Sequence, residues 1–419
     1  MEELDSAGEY YFDRTNQFVY CWPPGNTTNG TSQVSYTSNL LNIALCSNLV
    51  FRGLTVEATT LYPVVVQTST NITFDNCVFK NSAGDGVYTS ESANILVTSC
   101  SISNIGQRAV EMLFGGVRSN RYSANGIVTN CVIHDFARLD YSVTGILLKD
   151  IGYTVTHNRI YNAPHSAIIF PGNDNTIEYN EIYNVCTGSS DAGAVYAGNN
   201  WSFGGNIVRY NWLHDIHVAA DATDATQVMG LYLDDCLSGV SIYGNCFDRT
   251  DHAILLGGGR NNTISNNLFI DSLTASVQTD QRLTSWGASI ITALSNNLIA
   301  MPYTTALWSN AYPHLLTILS DQPTKAVNNV ITNNVRYGGV WLTWQDSANL
   351  VVSTNNNFIT GDPSFVDYAG DNFYLNLNSP ALPLPFSDIP FNNIGPLPKT
   401  AQALGTWINR VNVGTLYLR

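Results

Sequence analysis

Short segments in which apolar and polar positions alternate recur along most of the chain. Examples are VFRGLTV (50–56), TFDNCVF (73–79), IVTNCVI (127–133), TIEYNEI (176–182) and TISNNLF (263–269). Alignment of ten such segments places one residue of each in a single column, formed by Leu54, Cys77, Cys100, Cys131, Asn158, Asn180, Asn211, Asn245, Asn267 and Asn297. The shortest intervals in this column are 22 residues, which is typical of one coil of a stacked β architecture with loops inserted at some steps.

A second column of short β-rich segments follows the first after a polar turn. It includes GVYT (86–89), GILLK (145–149), AVYAG (194–198), GLYLD (230–234), AILLG (253–257) and SVQTD (276–280). No helical pattern of ten or more residues separates the strands, which disfavours a βαβ sheet. Asn-Gly hairpin turns do not separate them either, which disfavours a sandwich. The chain is therefore predicted to be all-β, a right-handed parallel β-helix of about ten coils.

The two ends of the chain differ from this repeat. Residues 1–48 contain an aromatic, Pro/Gly-interrupted stretch that predicts a strand pair or cap leading into the helix. Residues 49–345 carry the coils, and residues 346–419 are Pro-rich and aromatic. Because a terminal repeat must cover its open edge, we interpret the last segment as a C-terminal cap.

The first column is predicted to have a structural role. Stacked side-chain amides at a corner of the coil can hydrogen-bond along the stack, as in amide ladders elsewhere. Cys77, Cys100 and Cys131 occupy the same column on consecutive coils. Their expected separation would permit a disulfide, but small inward apolar residues suit the position, so we expect free thiols.

Composition limits the classes of partner. The net charge is −14 and only four lysines occur, Lys80, Lys149, Lys325 and Lys399. A nucleic-acid-binding protein normally has a basic face, so no nucleic-acid partner is expected, and acidic polysaccharides are disfavoured. There is no apolar run long enough to span a membrane and no Cys/His zinc spacing. We expect no membrane contact, no metal or other cofactor, and a monomer.

The expected location of the protein depends on weaker signals. Five Asn-x-Ser/Thr sequons, at Asn26, Asn29, Asn71, Asn200 and Asn261, fit a secreted glycoprotein. The first residues, MEELDSAGEYYF, are acidic and polar rather than a signal peptide. We therefore expect an extracellular protein whose targeting segment lies upstream of this chain.

Four carboxylates are the candidate catalytic groups. Asp234 and Asp280 occupy the same position of the second column, two coils apart, which predicts a Cα separation of ~9.6 Å. Gly257 lies between them and would leave room for a ligand. Asp191 lies on the coil next to that of Asp234, so it and Asp280 are alternative partners for Asp234. Asp235 adjoins Asp234 and belongs to the same acid cluster. Two carboxyl groups flanking a bond are what glycoside hydrolysis requires.

Several nearby side chains are candidates for substrate binding. Tyr196, Tyr232 and Gln278 share an outward-facing position of the second column. Trp201 and Trp286 could stack on sugar rings, and Arg282 could bind substrate or orient a carboxylate. Ordinary packing of loops on a coil is the alternative for the aromatic residues.

Particular segments resemble proteins of polysaccharide utilisation with this fold. They are LDSAGEYYFDRTNQFVYCWPPG (4–25), SSDAGAVYAG (189–198), GLYLDDCLSGVSIYGNCF (230–247), HAILLGGGRNNTISNNLFID (252–271) and the DPSFVDYAGDNFYL segment (362–375). The chain resembles glycoside hydrolase family 141. The resemblance implies fucosidase- or xylanase-like activity on plant or algal polysaccharide and an acid pair drawn from the DAGA and LDD segments, here Asp191 with Asp234 or Asp235.

Two departures from that family pattern are visible. Members usually have coils upstream of the first segment, and the loop at Asp280 reads DQRL where a D-A-R-G sequence is expected. Two other functions are compatible with the fold. A polysaccharide lyase would depend on Lys149 and Arg282 as its basic groups, and a non-catalytic carbohydrate-binding or adhesion protein would need no acid cluster.

Overall fold

The protein is a right-handed parallel β-helix. The computed structural model describes residues 4–27, 34–218, 227–344 and 352–398. Within these residues three parallel sheets, A, B and C, contain 12, 11 and 10 strands. The chain passes through A, B and C in each coil and then returns to A one level higher.

The strands of each sheet stack in sequence order. Sheet A contains Asn39–Ala44, Tyr62–Gln67, Val87–Ser90, Val110–Leu113, Ile146–Ile151, Ile168–Ile169, Ala192–Ala197, Val228–Leu233, His252–Leu256, Ala275–Thr279 and Leu342–Trp344, with Gly172–Asn173 paired beside Ile146–Ile151. Sheet B contains Ser47–Arg52, Thr70–Asp75, Ala93–Thr98, Ile127–Thr129, Thr154–Thr156, Thr176–Glu178, Ile207–Arg209, Ser241–Tyr243, Thr263–Ser265, Asn329–Thr332 and Val352–Asn355. Sheet C contains Thr55–Thr59, Val78–Ser82, Ser101–Ile105, Val132–His134, Arg159–Tyr161, Glu181–Tyr183, Trp212–Ile216, Cys246–Thr250, Leu268–Ile270 and Val335–Tyr337.

The register of sheet A agrees with the second sequence column. Val195 pairs with Leu231, Leu231 with Ile254, and Ile254 with Val277. These side chains are fully buried in one continuous apolar core that runs the length of the stack. Because successive side chains of a strand alternate between the two faces, Tyr196, Tyr232 and the residues paired with them lie on the outer face.

The first column has one wrong member, Asn297. The segment ALSNNLI (293–299) is helical, within Ile291–Ile299, and not a coil of the stack. The partner of Asn267 is Asn334, whose Oδ1 accepts the Asn267 backbone N–H at 2.9 Å. Leu294 and Leu298 are the buried residues of the helix, one turn apart, so helical burial explains an apolar pattern that the alignment predicts to be a strand.

The other asparagines of the column form a buried ladder. Asn158, Asn180, Asn211, Asn245 and Asn267 are each fully buried, at 0% exposure. The Oδ1 atom of each residue from Asn180 onward accepts the backbone N–H of the preceding member. The ladder thus pairs backbone groups that the corner leaves out of the sheets. All eight cysteines are free thiols, as expected for the column.

The residue before each ladder position turns the chain sharply from sheet B into sheet C. His157, Tyr179, Tyr210, Gly244 and Asn266 all have left-handed backbone, with φ of 57°, 54°, 55°, 67° and 56°. Left-handed conformation is unfavourable for bulky residues, so its repetition here shows how strongly the stack fixes this corner. The same geometry places the side chains of neighbouring coils above one another.

Three segments lie outside the stacked sheets. An antiparallel hairpin, Tyr10–Asp13 with Phe18–Cys21, precedes the first coil. A helical insert joins Ala275–Thr279 of sheet A to Asn329–Thr332 of sheet B. Its elements are the 3-10 helices Arg282–Thr284, Ala288–Ile290 and Pro313–Leu316 and the α-helices Ile291–Ile299 and Ala306–Ser309, and a further 3-10 turn, Arg118–Asn120, lies in an earlier loop.

The C-terminal segment follows the last described coil. Its antiparallel hairpin, Phe365–Asp367 with Asn372–Leu375, and the 3-10 helix Phe391–Asn393 pack on the outer face of sheet C. Stacked strands also occur beyond both limits of the segment 49–345, at Asn39–Ala44 and Val352–Asn355, and the three-segment division stays a prediction. No helix within the described ranges is long and apolar enough to cross a membrane.

Candidate active site

The acidic residues gather over the outer face and the B-side edge of sheet A. Asp234 and Asp235 directly follow the strand Val228–Leu233, and Asp191 directly precedes the neighbouring strand Ala192–Ala197. Asp191 and Asp235 both have left-handed backbone, with φ of 50° and 34°. The sharp turn that Asp191 needs in order to approach Asp234 is therefore present.

Gly193 allows the two strands to approach closely beside Asp191. A Cβ atom at this position would lie 2.6 Å from the Cβ atom of Tyr232. Such a contact is shorter than the chain can accommodate without moving its backbone, so the position requires glycine. The glycine of the DAGA segment thus brings Asp191 over the side chains of the next coil.

Two tyrosines connect the acids across the coils. The Tyr232 hydroxyl donates to Asp191 Oδ1 at 3.1 Å, and the Tyr196 hydroxyl donates to Asp234 Oδ2 at 2.9 Å. The two rings meet edge to face, with their centroids 5.4 Å apart. Asn199, which the sequence did not single out, donates to the Tyr196 hydroxyl at 3.3 Å. The Tyr232–Asp191 and Tyr196–Asp234 pairs therefore lie side by side, in contact through their rings.

Arg282 is the centre of a buried ion cluster. Its Nη2 atom lies 2.8 Å from Asp280 Oδ2, and its Nε atom lies 3.1 Å from Asp280 Oδ1. Its Nη1 atom contacts Asp234 Oδ1 and lies 2.9 Å from Asp235 Oδ1. Only 3% of the guanidinium side chain is exposed. One cation thus orients three carboxylates, and its two-pronged contact with Asp280 fixes its own position.

The space that Gly257 was expected to leave for a ligand is occupied. A Cβ atom at residue 257 would lie 2.2 Å from Arg282 Nη2. The guanidinium therefore fills the gap between Asp234 and Asp280. Asp280, whose side chain is 2% exposed, also accepts the backbone N–H of Arg282 at 3.1 Å, so both of its oxygens are engaged and shielded from solvent.

Burial and charge change the proton affinities in this group. Burial and the neighbouring charge of Asp234 raise the pKa of Asp235, although Arg282 opposes the shift. Burial and nearby carboxylates also raise the pKa values of Tyr196 and Tyr232, so both phenols remain protonated donors. Burial alone would lower the pKa of Arg282, but its contacts with Asp280 and Asp234 outweigh this and raise it.

The predicted substrate contacts differ in exposure. Trp286 is 65% exposed, and its ring centroid lies 4.7 Å from the Arg282 Cζ atom. Trp201 is only 1% exposed and packs among the apolar residues of the helical insert. The expected sugar contact of Trp201 is therefore wrong, because neither face of its ring is open. Gln278 is 4% exposed and pairs with Leu255 in the outer row that contains Tyr232.

The basic groups on which a lyase would depend are separated. Arg282 is engaged by three carboxylates. Lys149 belongs to the strand Ile146–Ile151, and two strands of sheet A lie between it and the strand that precedes Asp234. The Lys149 Nζ atom lies 5.1 Å from the ring centroid of Phe114. In the part of the chain that the structure describes, no group of three or more His, Cys, Asp or Glu side chains is arranged as a metal site; the expectation of no metal stays a prediction.

The helical insert is the main part of this region that the repeat pattern missed. It begins at Arg282, and its core includes Leu283, Leu294, Trp308 and the cysteine next to the acid pair, Cys236. The insert therefore supports the loop that carries Asp234 and Asp235. Apolar residues at helical spacing, Ile290, Ile291, Leu294 and Leu298, are the signal that could have identified it.

Comparison with known proteins agrees with the fold. The family model described as "Right handed beta helix region" matches residues 18–146. A solved structure named "Glycoside hydrolase" has a TM-score of 0.53 and 16% identity, covering 64% of this chain and 57% of that chain. Two alginate lyases of family PL6 have lower TM-scores. One has a TM-score of 0.37 and 10% identity, covering 85% of this chain and 58% of that chain. The other, in complex with a trisaccharide, has a TM-score of 0.30 and 9% identity, covering 86% of this chain and 90% of that chain.

These likenesses have a limited extent. This chain spans 57% and 58% of the length of the first two structures. No curated protein sequence matches it. At these identities the likeness to the glycoside hydrolase shows the fold alone, which is the right-handed parallel β-helix.

Proposed function

We propose that the protein is a glycoside hydrolase that acts on plant or algal polysaccharide, with Asp191 and Asp235 as its catalytic carboxyl groups. The observation that supports this most is the convergence of Asp191, Asp234 and Asp235 around two tyrosine hydroxyls and one guanidinium. Glycoside hydrolysis needs one carboxyl group that gives a proton to the leaving oxygen and a second that remains ionised. The three acids have different surroundings, which is what such a division of roles requires.

Asp235 is the proposed proton donor. Its raised pKa keeps the carboxyl protonated at a higher pH than an exposed aspartate would be. The Oδ1 atom of Asp235 accepts from Arg282 Nη1. Its Oδ2 atom has no side-chain partner among the described residues, so this oxygen can face a substrate oxygen. Its side chain retains 20% exposure, against 2% for Asp280.

Asp191 is the proposed second carboxyl group. It is exposed, and the Tyr232 hydroxyl holds one of its oxygens while the rest of the carboxylate faces solvent. In this position it can activate a water molecule or attack the sugar directly, depending on its distance from Asp235 in the substrate complex. Asp234, Asp280 and Arg282 are proposed as positioning residues, because their polar atoms are already committed to one another and to Tyr196.

The resemblance to family 141 supports the same acid pair. Its DAGA segment supplies Asp191 and the required Gly193, and its LDD segment supplies Asp234 and Asp235. We propose membership of that family, fucosidase- or xylanase-like specificity, and an extracellular location on this basis. The ring of Trp286, which stays exposed at the edge of the cluster, is a proposed sugar-stacking surface.

A polysaccharide panel tests the proposal. The protein is incubated with neutral xylan- and fucan-type polymers and with alginate and pectin, and two signals are followed. New reducing ends without ultraviolet absorbance of unsaturated uronates support hydrolysis. Reducing ends that appear together with that absorbance would show a lyase instead, and neither signal on any polymer would leave the non-catalytic function as the explanation.

The local charge predicts which of the enzymatic outcomes occurs. Three aspartates contact Arg282, and Asp191 lies nearby on the Tyr232 hydroxyl. Among the described residues the cluster therefore holds more carboxylates than cations, and an anionic uronate would meet net repulsion. A lyase of uronates normally needs positive charge at the same place. We therefore expect cleavage of a neutral polymer, insensitive to a chelating agent.

A further inference from the structure

A groove of about 410 Å³ lies at the corner between sheets B and C, away from the acid cluster. Its floor is formed by Tyr179, Tyr210 and Tyr243 and its wall by Asp388 and Pro390 of the C-terminal segment. The acids gather over sheet A and its edge towards sheet B. The groove is therefore a separate feature of the fold, and its volume is that of a small-ligand site.

The floor is an aromatic column produced by the repeated corner. The rings of His157 and Tyr179 stack with centroids 4.8 Å apart, and Tyr179 and Tyr210 stack at 5.1 Å. The next corner residue is Gly244, where the column ends. Tyr243 meets Tyr210 edge to face at 5.5 Å. The absence of a side chain at Gly244 makes room for the tilted Tyr210 ring, whose contact with a Cβ atom there would be only 2.4 Å.

The wall is held in place by hydrogen bonds on both sides of the groove. Asn266 Nδ2 donates to the Ser387 carbonyl at 2.9 Å, and the Ser387 N–H donates to Asn266 Oδ1 at 2.6 Å. Further on, the Gly395 N–H donates to the Tyr179 carbonyl at 2.9 Å. Ile389, between these attachments, is 2% exposed. The groove is thus preformed, which lowers the entropy cost of binding.

The polar groups in the groove are available to a ligand. Within the described residues, the hydroxyls of Tyr179, Tyr210 and Ser265 and the carboxylate of Asp388 have no hydrogen bond to another part of the protein. The Tyr243 hydroxyl accepts from Arg209 Nη1 at 2.6 Å and keeps its own proton for donation. The combination of half-buried aromatic surface with separate hydroxyl and carboxylate groups matches the apolar faces and hydroxyl rims of a pyranose.

We propose that this groove binds neutral sugar units of an oligosaccharide, separately from the acid cluster. Charge selects a neutral ligand. Among the described residues, the cation in contact with the groove is Arg209, and its Nε atom lies 2.6 Å from Glu178 Oε2, which neutralises it. Asp388 is exposed, and the chain carries a net charge of −14. A uronate would lie beside unpaired negative charge. The site would hold a polymer on the protein surface, and it does not depend on whether the acids hydrolyse that polymer.

Binding is measured by calorimetry with neutral hexasaccharides of xylose, glucose, mannose and galactose, and with hexagalacturonate as the anionic probe. The protein carries Asp235→Asn so that a probe is not consumed. We expect at least one neutral probe to bind, and Tyr210→Ala and Asp388→Asn to weaken that binding about tenfold each. Tyr141→Ala, at an exposed tyrosine elsewhere, is the matched control and should bind as before.

Several results would overturn the proposal. They are the absence of binding by every neutral probe, equal binding by all three variants, and preferential binding of hexagalacturonate. Asp388 is exposed, so its variant keeps the test valid if Tyr210→Ala fails to fold. Turnover of a short soluble substrate should be unchanged by Asp388→Asn, which separates a failure of the groove from a failure of the proposed catalytic site.

Discussion

The asparagine ladder can be tested at Asn180, near its middle. Replacement by leucine keeps the approximate size of the side chain and removes five hydrogen bonds. Asn180 Oδ1 accepts from the N–H and Nδ2 of Asn158 at 3.1 and 2.9 Å. Its Nδ2 donates to the carbonyls of Val155 and Glu178, each at 2.9 Å, and to Asn211 Oδ1 at 3.0 Å.

The expected loss follows from two opposing contributions. A hydrogen bond of this kind contributes about 1 kcal/mol net to stability, so five bonds contribute about 5 kcal/mol. Burial of the leucine side chain regains ~1.5–3 kcal/mol. The free energy of unfolding of Asn180→Leu should therefore fall by about 2–3.5 kcal/mol, and activity of the folded fraction should be retained.

Chemical denaturation of the wild type and the variant measures this difference. Asn42→Leu is the control, because Asn42 is an exposed strand residue with one long contact, from Asn39 at 3.4 Å, and its replacement should change stability by less than ~0.5 kcal/mol. Equal stability of the two variants would refute the ladder account. Loss of turnover at unchanged stability would instead assign the column to the functional site.

Three further predictions concern charged and aromatic side chains. Burial raises the pKa of Asp248 to about 7. The protonated carboxyl group therefore contributes stability that is fully present below the ordinary pKa of aspartate and is lost as pH rises through about 7. In denaturation measured from pH 4 to 8, Asp248→Asn should remove up to ~4 kcal/mol of the pH-dependent change in the free energy of unfolding. Arg282→Met should lower the free energy of unfolding by ~3–5 kcal/mol, because three carboxylates lose their counter-charge. Arg159→Met is the control and should cost no more than ~1 kcal/mol, because the Arg159 side chain is 45% exposed and its ion pair is with Glu181. Equal losses in the two variants would contradict the buried cluster. Trp286→Ala should raise KM about tenfold with little change in kcat, and an unchanged KM would remove this ring from the substrate site.

The fold and the register of sheet A could be predicted from the sequence because every coil must meet the same packing and hydrogen-bonding requirements. Each level must bury the same inward positions and pair the same corner groups, so Val195, Leu231, Ile254 and Val277 align by pattern alone. Asn297 was misassigned because its segment has the same composition as a coil, and only the three-dimensional partner of Asn267 distinguishes them.

The candidate site was less predictable because it depends on side-chain direction. The spacing of the column predicts a separation of Asp234 and Asp280 along the stack, but it could not show that Arg282 fills the gap at Gly257. It also could not show that Tyr232 reaches Asp191 across the coil. Burial of Trp201 arises from the helical insert, whose packing no repeat pattern contains.

The most direct test of the proposed catalytic pair compares turnover of Asp191→Asn and Asp235→Asn on the polysaccharide that the panel identifies, with Asp5→Asn as a control at an exposed acid outside both the acid cluster and the groove. Both site variants should lose several orders of magnitude in kcat without a change in Tm, and loss of Asp235 should remove the limb of the pH–rate profile on which activity falls as pH rises, since that limb reports the proton donor. Near-normal turnover in either variant, or a loss as large in the control, would contradict the assignment of these two carboxyl groups.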